Sequence, residues 1–520
     1  MLIVLGGILV FRLHAFLALI VAAFTVAALT PREAVNDYVL WDEGHILDEK
    51  LEPKPRKKHP VVAGEAVIYR KNDDGSLKEL GLEGEVAAES GDLRVHHTHV
   101  AKAKSTAGKT FAGRVAAGFG DMCLKIGILI AMAAIVGKTL MDSGAAERIV
   151  LSLRRMCGEK RTPMAFTGGG FLLGIPVFFD TLFYLLMPLG KAMHVRTGRN
   201  YLLYVLTIVA GGTMAHSLVP PTPGPLTVAE QMGVDIGAMI LGGCVVGIFT
   251  VTAGYIFAHI ANRRMEVPLR ESVELSREEL EAMADRDEKD LPGLFVSLLP
   301  ILLPVVMLAG STVLNTMFKT QISAGEMPGL KGFLALAGDK NIALTLAAAI
   351  GLVLVWRRGK TKDEVAKSVQ TALSGGGMII LITAAGGAFG YVLRQTGIAI
   401  TIQEGMGQSS MALLPLAFLI CTIIRTAQGS ATVAMITTAG IIAPVAAAAA
   451  ITYNPVYIAL AIGCGSKPIA WMNDSGFWVI SRMSGLTESE MLKTVTIMGI
   501  VMASVGLAVC MLGAWLLPLV

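Results

Sequence analysis

The sequence contains few charged residues. Asp, Glu, Lys and Arg together make up 16% of its 520 residues, whereas hydrophobic residues make up 53%. The mean hydropathy is +0.62, which is far more apolar character than a soluble domain needs to fill its core. The composition therefore excludes an ordinary soluble protein and predicts a chain that lies mostly in lipid.

Cysteine pairs and basic patches are also lacking. The six cysteines are scattered, with no CxxC spacing, so we expect neither a disulfide framework nor a zinc site. The net charge is only +4, and Lys and Arg collect in short loops instead of forming a stripe interleaved with aromatic residues. This pattern argues against a nucleic-acid partner. We predict no metal and no cofactor.

Apolar stretches alternate with two polar segments. Residues 1–30 contain an N-terminal membrane span, at 13–29, that we expect to be retained because no small-residue cleavage site follows a basic start. Residues 31–110 form a polar insert. Within it, the stretch 64–80 has a DG turn between strand-like arms and could make a hairpin. A charged linker covers 263–292. Further spans are predicted at about 115–140, 200–218, 237–262, 293–318, 341–356, 368–394, 455–472 and 494–517.

The basic loops predict the topology. Segments 152–162 and 191–199 are both rich in Lys and Arg and should both be cytoplasmic. The apolar stretch between them, 163–190, must then enter and leave on one side, as a re-entrant hairpin. The loops around a second interrupted stretch, 411–447, contain no Lys or Arg, which places that hairpin on the outer side. The polar insert lies between an outward-going and an inward-going span and is therefore expected outside, whereas the charged linker is expected inside.

An offset of 253 residues relates the two halves of the chain. Three interrupted strings of the first half fall on three of the second half, which predicts two inverted repeats, 111–262 and 293–520, each with a hairpin and a broken helix. Paired interruptions of this kind are typical of secondary transporters whose site lies near the membrane midplane. The matched strings are GKTLMDSG (137–144) with GYVLRQTG (390–397), GIPVFFD (174–180) with AQGSATV (427–433), and PPTPG (220–224) with NDSGF (473–477).

The interruptions are the places where binding chemistry is expected. Irregular backbone at membrane depth persists only where it is buried in protein or lines a wet cavity. Each interruption also frees the end of a helix, and a helix N-terminus carries roughly half a positive charge that suits an anionic carboxylate. The broken helices are predicted at 200–225 and 455–478.

Four strings of the chain resemble the gluconate permease (gluconate:proton symporter) family of the ion transporter superfamily. They are GIPVFFDTLFYLLMPL, HSLVPPTPGP, AQGSATVAMITTAGIIAP and NDSGFWVISRMSGLTESEMLKT, in this order. The resemblance covers nearly the whole chain apart from residues 31–110. It implies an all-α polytopic protein of the cell (inner) membrane, an elevator-type carrier that forms a homodimer, and proton-coupled uptake of sugar acids or similar hydroxy or amino acids.

The resemblance also implies the site residues. Asp180 and Asp474 are the candidates for proton coupling, with Asp180 preferred because a carboxylate within an apolar run is costly without a role. Two positions depart from the family pattern: Asp180 stands where Glu is usual, and Thr222 where His is usual, which changes the size and polarity of the pocket. The implied substrate-binding residues are Gly174, Pro176, His216, Ser217, Pro220, Pro221, Gln428, Gly429, Ser430, Thr432, Asn473 and Ser475.

Other functional classes fit the sequence less well. A channel would show a filter loop or a charged ring without paired internal breaks. GFGD at 118–121 is similar to a string of intramembrane aspartyl proteases, but no partner motif accompanies it, so we expect no enzyme. A Na⁺-coupled carrier, a citrate or dicarboxylate carrier and a serine-like amino-acid carrier stay open as alternatives, because unwound carbonyls serve Na⁺ as readily as side chains serve protons.

Overall fold

The computed structural model of the chain is mostly helical. It describes residues 14–47, 65–72, 76–158, 161–270, 291–318, 321–322, 327–396, 410–449, 451–472 and 474–519. Most of the predicted linker, at 271–290, lies outside these ranges.

The helices and strands lie on both sides of the predicted linker 263–292, and the first part includes the N-terminal region. The first part contains α1 (Ala15–Leu29), α2 (Arg32–Glu43), β1 (His45–Ile46), β2 (Ala66–Lys71), β3 (Leu77–Leu82), β4 (Leu93–His96), α3 (His97–Gly108), α4 (Phe111–Asp142), α5 (Ala145–Cys157), α6 (Thr162–Gly174), α7 (Phe179–Thr197), α8 (Tyr201–Leu218), α9 (Pro223–Met232) and α10 (Ile236–Arg264). The second contains α11 (Leu294–Met317), α12 (Pro328–Ala337), α13 (Lys340–Arg357), α14 (Lys362–Arg394), α15 (Leu413–Gln428), α16 (Ala431–Ala448), α17 (Val456–Gly465), α18 (Ser475–Ser484), α19 (Glu488–Met491) and α20 (Ile497–Leu516), with a π-helical turn at Leu492–Thr496.

The polar insert contains a small sheet. Its strands are antiparallel in the order β1-β4-β2-β3, and β2 pairs with β3 as the hairpin expected around the DG turn, whose own residues lie outside the described ranges. Val67 and Val95 pack with Leu40 of α2 in a hydrophobic cluster of the insert's own. Arg70 donates two hydrogen bonds of 2.8 Å each to Asp92. The expectation of an all-α protein is therefore wrong for the insert, where β2 and β4 contain consecutive buried residues, Ala66–Tyr69 and Leu93–Val95.

The long apolar helices follow the predicted spans. Within the described ranges, seven helices are long and apolar enough to cross a membrane, or eight if α1 and α2, which meet at a 98° bend, form one span. The span predicted at 455–472 is too long. Helix α17 ends at Gly465, and the next helix begins only at Ser475. The loop predicted at 152–162 is also shorter, since α5 continues to Cys157.

Each half contains two interrupted helical elements. In the first half α6 and α7 are separated at 175–178, and α8 and α9 at 219–222. In the second half α15 and α16 meet at Gly429 and Ser430, and α17 and α18 are separated at 466–474. Gly429 has a φ of +81°, a left-handed conformation that ends α15 and that glycine adopts without a Cβ clash.

The interrupted elements pack in the same pattern in both halves. The first arm of each pair packs against the broken helix of its own half, α6 against α8 and α15 against α17. The second arms also reach the opposite half, where α7 contacts α18 and α16 contacts α9, although α7 packs more extensively against α8 of its own half. The two broken helices approach closely, because a Cβ on Gly463 would lie 2.5 Å from the carbonyl oxygen of Ser217. These contacts bring the starts of α7, α16 and α18 together.

Candidate functional site

A cavity of about 270 Å³ lies at the crossing of the interrupted elements. Its walls come from the start of α7, the second half of α8, the junction of α15 and α16, the segment between α17 and α18, and the start of α18. The volume is close to the lower end of the ~300–1,000 Å³ typical of ligand pockets, so the cavity suits a small molecule. Its polar lining residues are Asp180, Thr213, His216, Arg425, Ser430, Thr432, Lys467 and Asp474.

Three helices begin at this cavity. Helix α7 starts at Phe179, α16 at Ala431 and α18 at Ser475. The hydroxyl of Ser430 caps α16 by accepting a hydrogen bond from the Val433 N–H at 3.4 Å. Because the first turn of a helix has N–H groups without intrahelical partners, the three N-termini together favour an anion in the space between them.

Asp474 and Arg425 form a buried ion pair on one wall. Asp474 Oδ1 accepts the Gly476 N–H at 2.9 Å and so caps α18, while Asp474 Oδ2 bonds Arg425 Nη2. Arg425 Nε donates to the Ser466 carbonyl at 3.1 Å. Both carboxylate oxygens of Asp474 are therefore engaged, and the pair ties α15 to the segment that precedes α18.

Two cations of this cavity were not predicted from the sequence. Arg425 is only 5% exposed, and its Nη1 is buried without a hydrogen-bond partner among the described residues. Lys467 also lines the cavity and has no carboxylate within 4.0 Å in the described part of the chain. Each is the only charged residue of its apolar segment, and a lone charge in such a segment is by default a sign of function.

Asp180 and His216 line the cavity from the first half of the chain. Asp180 is in the first turn of α7, is partly buried, and has neither an ion pair nor a hydrogen bond to any residue in the described ranges. His216 is buried near the end of α8, with its ring 6.0 Å from that of Phe178. Its Nδ1 has no partner among the described residues. Asp180 is thus the cavity carboxylate that is free to change its protonation state without breaking an ion pair.

The structure places the predicted site residues in three groups. Those that line the cavity are Asp180, His216, Gly429, Ser430, Thr432 and Asp474. Those that do not are Gly174, Pro176, Ser217, Pro220 and Pro221. Asn473 and the side chains of Gln428 and Ser475 lie outside the described residues.

The predicted residues away from the cavity have packing roles. A Cβ on Gly174 would lie 3.0 Å from the Gly212 carbonyl, so this position holds α6 against α8. Ser217 accepts a hydrogen bond from Ser466 at 3.2 Å, which links the two broken helices. Thr222, at the departure from the family pattern, is buried and donates to the Val219 carbonyl at 2.8 Å.

The fold and the cavity define a multi-pass membrane protein of a transporter type. The MtrF protein of Neisseria gonorrhoeae, which belongs to a class of antimetabolite efflux pumps, shares this fold at a TM-score of 0.63. It is 17% identical, and the match covers 99% of this chain and 98% of that one.

Sequence comparison places the chain within a family. The family model for GntP family permeases matches residues 97–516. A gluconate permease of Pseudomonas aeruginosa is 33% identical over 76% of this chain and 86% of its own length. The inner membrane permease YgbN of Escherichia coli is 32% identical, over 75% of this chain and 86% of its own length. The chain belongs to the GntP permease family, which confirms the predicted family and the prediction of a transporter and not an enzyme.

Proposed function

We propose that the protein takes up gluconate or a related small hydroxy or sugar acid together with protons across the inner membrane. The observation that carries this proposal is the convergence of three helix N-termini on one small cavity that also contains the carboxylate of Asp180, which has no partner in the described ranges. The N-termini suit a carboxylate substrate, the hydroxyls of Ser430 and Thr432 suit a polyhydroxy chain, and Asp180 can carry the proton. The name of the Pseudomonas relative supports the same substrate class.

The implied binding residues form part of this proposal. Ser430, Thr432 and His216 would contact the substrate from the cavity wall, and Gly429 would let the backbone approach it. Gln428, Asn473 and Ser475 remain proposed ligands on the strength of their motifs. Gly174, Pro176, Ser217, Pro220 and Pro221 would then act by shaping the interruptions and not by contact.

The experiment is uptake of labelled gluconate, glycerate, serine and citrate by the purified protein in proteoliposomes, with the proton and sodium gradients collapsed in turn. We expect gluconate or glycerate to accumulate, and collapse of the proton gradient alone to abolish accumulation. Accumulation that survives without a proton gradient but fails without sodium would contradict proton coupling. Preferred uptake of citrate or serine would replace the proposed substrate with one of the alternatives.

We also propose that the two halves are inverted repeats that work as an elevator-type carrier, in a homodimer. The packing of each first arm against the broken helix of its own half, together with the contacts of each second arm to the opposite half, supports the duplication. The elevator motion and the homodimer rest on the family resemblance.

The inverted arrangement predicts a specific topology. Single cysteines introduced into a background without native cysteines should be labelled from outside at Lys78 in the insert, and only from inside at Arg155 near the end of α5. A cysteine within 403–411, before α15, should behave like Lys78 because the two hairpins open to opposite faces. If cysteines at position 155 and within 403–411 were labelled from the same side, the inverted-repeat proposal would be contradicted.

A further inference from the structure

The guanidinium of Arg425 has one nitrogen without a hydrogen-bond acceptor among the described residues. Its Nε and Nη2 are held by the Ser466 carbonyl and by Asp474, which fixes the plane of the group. The remaining nitrogen, Nη1, is buried and has no acceptor among the described residues, although Arg425 lines the cavity. A buried charged donor without an acceptor is costly, so an acceptor bound in the cavity would stabilise Nη1.

A second cation is close to the first along the backbone. Lys467 directly follows Ser466, whose carbonyl accepts from Arg425 Nε, and it lines the same cavity. It has no carboxylate of the described residues within 4.0 Å, whereas Arg425 is paired with Asp474. Arg425 and Lys467 line the same cavity, and only Arg425 is paired with a carboxylate of the described residues. The two cations therefore suit a ligand with one carboxylate, because charge-assisted hydrogen bonds are the strong ones.

We propose that Arg425 and Lys467 form the carboxylate-binding subsite of the cavity and select substrates with one carboxylate over those with two or more. This inference rests on the proposed function, because it requires Asp180 to be the group that carries the proton. The charged and titratable groups that face the cavity are Asp180, His216, Arg425, Lys467 and Asp474.

Charge balance is the physical reason for the selection. When Asp180 carries a proton and His216 is neutral, the remaining groups are two cations and one anion, so the cavity has one net positive charge. A monocarboxylate neutralises it. A dicarboxylate leaves an uncompensated negative charge in a partly desolvated space, which is strongly disfavoured. Proton loading and monoanion binding thereby favour each other.

The test measures binding of labelled gluconate, glycerate and lactate to the purified protein without any ion gradient, with malate and citrate as competitors. Lys467→Met is the main variant, because Lys467 has no ion pair in the described ranges and its loss leaves no charge stranded. We expect it to weaken monocarboxylate binding by roughly 10- to 150-fold, with partial rescue in Lys467→Arg. Arg425→Gln should weaken binding to a similar extent.

Two controls separate recognition of charge from damage to the fold. Lys125→Met removes a lysine that pairs with Asp121 outside the cavity and should leave binding unchanged. Gluconamide, which lacks the carboxylate charge, should bind the native protein and Lys467→Met equally well. If Lys467 only supported the fold, Lys467→Met would weaken the binding of gluconate and gluconamide alike.

Each outcome bears on a different proposal. Native monocarboxylate affinity in folded Lys467→Met would overturn the subsite, and malate or citrate binding as tightly as gluconate would overturn the selection. Binding of another monocarboxylate but not gluconate would reject only the proposed substrate, and the variants would then be tested with that acid. Binding of none of the three would reject both proposals.

Discussion

Replacing Asp474 with alanine is expected to destabilise the protein more than any other single change at the cavity. The substitution removes the cap of α18, worth about 0.5–2 kcal/mol. It also strands the buried Arg425 charge, and breaking a buried pair from one side costs about 3–5 kcal/mol. The thermal unfolding of the purified protein in detergent, followed by intrinsic tryptophan fluorescence, should therefore shift to a clearly lower temperature.

Asp235→Ala is the matched control for this substitution. Asp235 also caps a helix, α10, by accepting the Ala238 N–H at 2.9 Å, but it is exposed and its other partner is the hydroxyl of Thr312. Its loss should cost the cap and a surface hydrogen bond only. A combined Arg425→Met and Asp474→Leu variant should recover part of the stability, because it strands no charge. Equal shifts for Asp474→Ala and Asp235→Ala would show that the buried pair adds nothing.

The positions of the helix interruptions were largely predictable. Pro and Gly interrupt helices for local reasons, so strings such as GIPVFFD and AQGSATV predict their breaks without knowledge of the tertiary fold. The end of α17 was not predicted at Gly465. The run up to that residue is uniformly apolar, and the local stop signal is Pro468, two residues beyond the C-cap Ser466.

The composition of the cavity was only partly predictable. Ser217, Pro220 and Pro221 belong to a conspicuous string but do not line the cavity, and Ser217 instead bonds Ser466 of the other broken helix. Arg425 and Lys467 had a readable signal, since each is the lone charge of an apolar segment. That signal does not reveal that both reach one cavity, which depends on the packing of α15 against α17 and the segment after it.

Asp180→Asn is expected to abolish accumulation driven by a pH gradient while it preserves exchange. Asp180 faces the cavity without an ion pair or hydrogen bond to the described residues, whereas both oxygens of Asp474 are engaged by Gly476 and Arg425. Asn has almost the same shape as a protonated Asp, so the variant should bind substrate as the loaded carrier does. An imposed gradient of ~1 pH unit supplies about 1.4 kcal/mol per proton, or up to about tenfold accumulation, and the variant should show none.

The decisive comparison is between net uptake and counterflow in the same proteoliposomes. Counterflow exchanges internal for labelled external substrate and needs no net proton movement, so Asp180→Asn should retain it. Asp121→Asn is the control, because Asp121 is an exposed acid that pairs with Lys125 away from the cavity, and it should keep both activities. If Asp180→Asn still concentrates substrate and Asp474→Asn does not, the two aspartates have the opposite roles. If both still concentrate it, the coupling ion is carried by other groups, and the unpaired carboxylate of Asp180 has a different function.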